Sequence, residues 1–165
     1  MDYELAYRYG VPSRLDEYAG LALSTSGGST PEREAACPYF FSGFMERPDV
    51  VAAGLLAVAR VARTRFYVPP GMVVAPGGGL TRIGMLDPVV TNTAEGLRFE
   101  SFSVCCGVYA RLDVEASALD AAHCAVGVTN VDVNQPLRAA LASLRAGEPL
   151  HLGVGEEGPD DTTTT

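Results

Sequence analysis

Apolar and polar positions alternate most cleanly between Leu97 and Val114. Leu97 and Phe99 alternate with Arg98 and Glu100, and Val108, Ala110, Leu112 and Val114 alternate with Tyr109, Arg111 and Asp113. A period of two predicts two antiparallel strands with one apolar and one wet face, joined where Gly107 lets the chain turn or bulge. The same reading predicts strands at Asp87–Thr91, Val126–Val133 and Leu150–Val154, and a short one through Tyr3, Leu5, Tyr7 and Tyr9.

Two stretches have helical spacing instead. Asp49–Arg63 follows Pro48, is apolar on most sides in its first half, and gathers Arg60 and Arg63 at its end, where positive charge suits the macrodipole. Leu137, Ala140, Leu141 and Leu144 line one face of a helix over 134–146, with Asn134 as N-cap, Pro136 in the first turn and Gly147 just beyond. Weaker signals suggest a short helix over Arg14–Leu23 capped by Ser13, and one or two helical turns over Glu115–Ala122. The aromatic run Pro38–Met45 is expected to be buried. Ser24–Pro31 and Gly71–Gly84 read as loops. The sum is an α+β chain: an antiparallel sheet of about five strands with the two main helices packed on one face. Residues 1–155 form a single domain in this reading, and 156–165 an acidic, Thr-rich tail.

Length and charge narrow the function classes. A chain of 165 residues is long enough to bury a core. Its net charge of -8 argues against direct binding to a nucleic-acid backbone. No run is apolar enough to cross a membrane, and the first residues lack a signal-peptide core, so the expected location is cytoplasmic with reduced cysteines. All of the basic residues are Arg, which suggests GC-rich coding and a bacterial source.

Several segments together resemble the N-terminal region of actinobacterial SWIM zinc-finger family proteins: ELAYRYGVPSRLD, FFSGFMERPDVVAAGLLAVARVARTRFY, LDPVV, LRFESFSVCCGVYARLDV, TNVDVNQPLRAAL and GEPLHLGVG. The resemblance implies an accessory domain that accompanies the finger. The finger has the form Cys-x-Cys, a spacer, then Cys-x-His, which would chelate zinc through three thiolates and an imidazole. This sequence has neither half of that pattern. The resemblance therefore implies no cofactor in this chain, with zinc confined to the finger of longer relatives.

Candidate chemistry falls in two places. Glu100, Ser101, Ser103, Tyr109 and Arg111 on the central strands, with Asn130, Asp132 and Asn134 at a strand-to-helix junction, are candidates for a polar binding site, because a helix N-terminus presents free N–H groups. The plainer reading makes Asn134 a cap, Asn130 and Asp132 turn-forming groups, and Glu100–Arg111 a cross-strand ion pair. Cys105 and Cys106, with His123 and Cys124 and more remotely Cys37 and His151, are a weak candidate metal set. Their spacing fits no structural-zinc template, and small buried core thiols are the simpler expectation. No Ser, Cys or His stands in a catalytic motif. Two functions remain open. One is a non-catalytic interaction domain that binds a protein partner or another copy through a sheet edge or the 39–44 aromatics. The other is a small-molecule or metal site around Glu100, Arg111, Asn130 and Asp132, which would require a pocket gathering those side chains.

Overall fold

A computed structural model describes residues 9–29, 34–35, 39–68, 70, 86–147 and 149–155. The strand expected over Tyr3–Tyr9, the loop over Gly71–Gly84 and the 156–165 tail fall largely or wholly outside these residues. The elements run β1 (Arg14–Asp16), β2 (Gly20–Leu23), β3 (Gly28–Ser29), β4 (Glu34–Ala35), β5 (Phe41–Met45), α1 (Pro48–Arg63), β6 (Val89–Thr93), β7 (Gly96–Phe102), β8 (Tyr109–Glu115), β9 (Leu119–Cys124), β10 (Gly127–Asn130), α2 (Gln135–Ser143) and β11 (Leu150–Val154). The chain is α+β, as its periodicities imply. Its strands divide between two sheets, ordered β1-β2-β11-β5-β9 and β4-β3-β10-β6-β7-β8. Among the described residues every strand pairing is antiparallel except that of β11 with β2.

One core joins the two sheets. Leu21, Leu23, Phe41, Leu152 and Val154 of the five-stranded sheet belong to the same buried cluster as Val90, Leu97 and Phe99 of the six-stranded sheet. α1 contributes Val51, Leu55 and Val58 and packs on β7 and β8, where Gly54 lies against Leu112. α2 packs on α1 and β1 through Leu137 and Leu141. Its N-terminus is satisfied as expected, since Asn134 Oδ1 accepts from the Leu137 N–H at 2.9 Å.

The sheets are stitched by polar groups as well. Asn92 on β6 is buried, and its Nδ2 donates to the carbonyls of Phe40 at 3.0 Å and Ala125 at 3.1 Å. Asp132 and Asn134 hold the N-terminal segment. Asp132 Oδ2 accepts from the Ser13 N–H at 3.0 Å and from Asn134 Nδ2 at 2.7 Å, while Asn134 Nδ2 also donates to the Ser13 carbonyl at 2.9 Å.

Several local expectations are corrected. Arg14–Leu23 is a hairpin rather than a helix: Asp16 Oδ1 accepts from the N–H groups of Tyr18 and Ala19, closing a turn that Gly20 leaves with φ +82. Ser13 caps nothing helical; its hydroxyl accepts from the Ser24 N–H at 2.7 Å. Ser24, Thr25 and Ser26 are buried rather than looping through solvent, because their backbone meets Asn130, Val131 and Asp132 beside β10. Glu115–Ala122 contains only a 3-10 turn at Ala116–Ala118 before the chain becomes β9. This turn carries it from the edge of one sheet to the edge of the other. In the aromatic run Phe40 and Phe41 are buried, but Phe44 lies on the outer face of β5 and is exposed.

Candidate functional site

Strand parity sorts the central residues. Register places Arg98 opposite Asp113, Glu100 opposite Arg111 and Phe102 opposite Tyr109. These even positions of β7 and odd positions of β8 share the outer face, while Leu97, Phe99, Leu112 and Val114 turn inward toward α1. β6 and β10 extend the outer face through Thr91 and Val128, which pair with each other. Among the described residues no helix covers this face.

One end of the face is aromatic. Phe102 and Tyr109 are 51% and 47% exposed, and their ring centroids lie 5.0 Å apart in a tilted pair. The contact between the rings is favourable, and the ring area that stays in water offers apolar surface to a partner. The Tyr109 hydroxyl donates to Glu100 Oε1. That carboxylate is the main reason the phenol titrates above its ordinary range. The middle of the face is charged. Asp113 accepts from Arg98 Nε at 2.8 Å and from Arg111 Nε at 2.6 Å. These two guanidinium groups, Arg111 first, hold its carboxyl below the usual range. The expected Glu100–Arg111 ion pair is therefore a register pair only: Arg111 is held by Asp113, and Glu100 by Tyr109. Beyond Asp113 an open trough of about 600 Å³ runs between Arg98, Arg111, Thr93 and Glu115.

Of the other sequence candidates, Asn130 alone reaches this face. Ser101 turns inward, and its hydroxyl donates to the Val58 carbonyl of α1 at 2.7 Å. Ser103 closes the turn between β7 and β8, accepting from the Val108 N–H at 3.1 Å. Asn130 shares the outer face through its pairing with Val89, but its Nδ2 is directed at the Asp87 carbonyl, 3.4 Å away. Asp132 and Asn134 are spent on Ser13 and on the cap of α2. Of the four residues proposed for a pocket, the register sets Asn130, Glu100 and Arg111 in one row across the outer face, with Val89 between the first two, while Asp132 is engaged by Ser13 and Asn134. Arg98, Asp113 and Phe102 are face residues absent from the sequence-based set, although their alternation with the core positions marks them.

The three cysteines among the described residues are not core thiols. Cys106 and Cys124 are exposed and Cys105 is half-buried, because the first pair sits in the turn after β7 and Cys124 ends an edge strand. Cys106 takes the left-handed conformation, φ 57, in the join where Gly107 was expected to let the chain turn or bulge. His123 stacks on Tyr39 at 4.6 Å, and His151 Nε2 is hydrogen-bonded to the Ser42 hydroxyl at 2.9 Å. Among the described residues no three His, Cys, Asp or Glu side chains are grouped to hold a metal. The thiol of Cys105 is pulled down to about 6, first by the Ser103 hydroxyl 3.4 Å away, then by the N–H of Gly107 and more weakly by those of Phe66 and Tyr67. Hydrogen bonds to sulfur stabilise the thiolate, so this turn holds an acidic thiol.

No helix among the described residues is long and apolar enough to cross a membrane. Compared with protein families, with curated proteins and with solved structures, the chain matches none.

Proposed function

We propose that this chain is a non-catalytic interaction domain that docks a protein partner on the outer face of its six-stranded sheet. In keeping with the resemblance noted above, we place it as the accessory domain of a SWIM zinc-finger-type protein, working in the cytoplasm and carrying no cofactor of its own. The observation that carries the reading is the exposed Phe102–Tyr109 ring pair beside the Arg98–Asp113–Arg111 network on a face that no described helix covers. Interfaces are built in this way, with aromatic anchors at the centre and charged groups setting orientation. The matching partner offers an apolar side chain to the rings and unlike charges to Arg98 and Arg111.

The competing reading, a polar small-molecule site, is weakened because Asp132 and Asn134 are used to pin Ser13 and cap α2. The test places a photo-crosslinking amino acid at Phe102, at Tyr109 and, as a control, at Tyr18, which is 94% exposed at the far edge of the other sheet. Expressed in a host that carries the partner, the 102 and 109 probes should give the same discrete adduct and the 18 probe none. Equal adduct patterns at all three positions would remove the face from consideration.

A further inference from the structure

We propose that the free edge of β8 pairs with β8 of a second copy of this chain, antiparallel about a twofold axis through Leu112. This goes beyond the reading of the outer face and stands or falls separately from it.

β8 is the last strand of the six-stranded sheet, and β7 is its one strand neighbour among the described residues. It is seven residues long and contains neither proline nor a bulge, so its open edge is of the kind that recruits another strand. The hydrogen-bonding parity is fixed by the ends of the β7–β8 ladder. Ser103 donates its N–H to the Val108 carbonyl at 2.8 Å, and Ala116 donates to the Glu95 carbonyl at 2.8 Å. Narrow and wide pairs alternate along an antiparallel ladder, so Ala110, Leu112 and Val114 also turn their N–H and C=O groups toward β7. The N–H and C=O groups of Tyr109, Arg111, Asp113 and Glu115 therefore point to the open edge, where no described strand meets them.

The side chains select one register. Pairing about Leu112 sets Arg111 opposite the second copy's Asp113, and Asp113 opposite its Arg111. Tyr109 then faces Glu115, and Ala110 faces Val114. Moving the axis by one position to Arg111 or to Asp113 would set like charges directly opposite each other, which opposes pairing. The sequence YARLDVE is thus self-complementary in charge, in apolar face and in hydrogen-bonding parity. An isologous twofold contact requires all three from one strand.

The experiment is sedimentation equilibrium of the whole chain over a concentration series, on the wild type and on three variants, each verified as folded by circular dichroism. The wild-type mass should rise from 17.3 kDa toward twice that value. Arg111→Pro removes an outward N–H, which an edge strand tolerates within the monomer, together with the guanidinium that meets Asp113, and should stay monomeric. Arg111→Asp sets a carboxylate at position 111 opposite the second copy's Asp113 and should weaken association about tenfold or more. Adding Asp113→Arg to that variant restores unlike charges across the axis while placing two arginines together, at 98 and 113, within each monomer. The swap also restores the 111–113 ion pair within each monomer, so monomer stability is measured beside it by urea unfolding, and recovery of the dimer beyond any change in that stability comes from across the edge. A wild type that remains at 17.3 kDa throughout overturns the proposal. So does association of Arg111→Pro equal to wild type, or a double variant no better than Arg111→Asp.

Discussion

Replacing Asn92 with alanine should destabilise the fold by about 2–3 kcal/mol, because this side chain joins the two sheets from inside the core. Asn92 Nδ2 serves two backbone carbonyls, Phe40 at 3.0 Å and Ala125 at 3.1 Å, with the Cys124 sulfur also near at 3.3 Å. Losing two such bonds costs about 2 kcal/mol net. The Phe40 carbonyl keeps the Ala125 N–H at 2.8 Å, so of the two carbonyls only that of Ala125 is left without a donor among the described residues. That adds about 1–3 kcal/mol. Against it, the Oδ1 of Asn92 is buried without a partner among the described residues, and deleting it returns a similar amount. The small void left by the amide adds roughly 1 kcal/mol more. Urea unfolding followed by circular dichroism measures the sum, with an unchanged m-value showing that the same surface is exposed. Asn92→Leu fills the void but returns no donor, so it should recover only the cavity part. A loss under about 1 kcal/mol for Asn92→Ala would mean that the orphaned oxygen outweighs both donated bonds, and the argument would fail.

Alkylation of Cys105 by iodoacetamide, followed by peptide mass spectrometry, should reach half its maximal rate near pH 6, the value to which its hydrogen bonds bring it. Ser103→Ala should move that midpoint upward toward the ordinary thiol value of about 8.5, where finding it in the wild type would contradict the geometry. Gly96→Ala should cost more than about 2 kcal/mol in chemical denaturation: φ is +131, and a Cβ would lie 2.1 Å from the Val114 carbonyl oxygen. Because Asp113 is held below its ordinary range, its contribution is present above the unfolded carboxylate value of about 3.9 and fades as pH falls through the folded value. Asp113→Asn should therefore flatten the acid limb of a stability-versus-pH curve slightly, and added salt should shrink the difference because the group is exposed.

The parts of the fold visible in the sequence are those settled by local pattern. β7, β8 and β11 alternate strictly, and α1 and α2 carry their own start signals in Pro48 and Asn134. What stays hidden is settled at a distance. Arg14–Leu23 contains residues that suit a helix, yet β2 is claimed by β11 more than a hundred positions later. Ser24, Thr25 and Ser26 look like loop residues, but Thr129 Oγ1 donates to the Ser26 carbonyl at 2.9 Å and the segment is buried against β10. At the site, alternation alone separates Ser101, which shares the parity of Phe99, from Glu100 and Phe102. Grouping Ser101 with Glu100 neglects that parity. No spacing rule shows that Asp132 and Asn134 will be taken up by Ser13, since the three meet only once the fold closes.

The order of strands has a consequence for synthesis. β11, the last strand among the described residues, occupies the middle of its sheet, between β2 and β5. A ribosome exposes both neighbours long before Leu150–Val154 emerges, so until then neither has its inner partner. The nascent protein must wait with two raw strand borders, and a product cut short before residue 150 keeps them. Such fragments should be sticky and quickly degraded, even though nearly all of the hydrophobic core has already been translated.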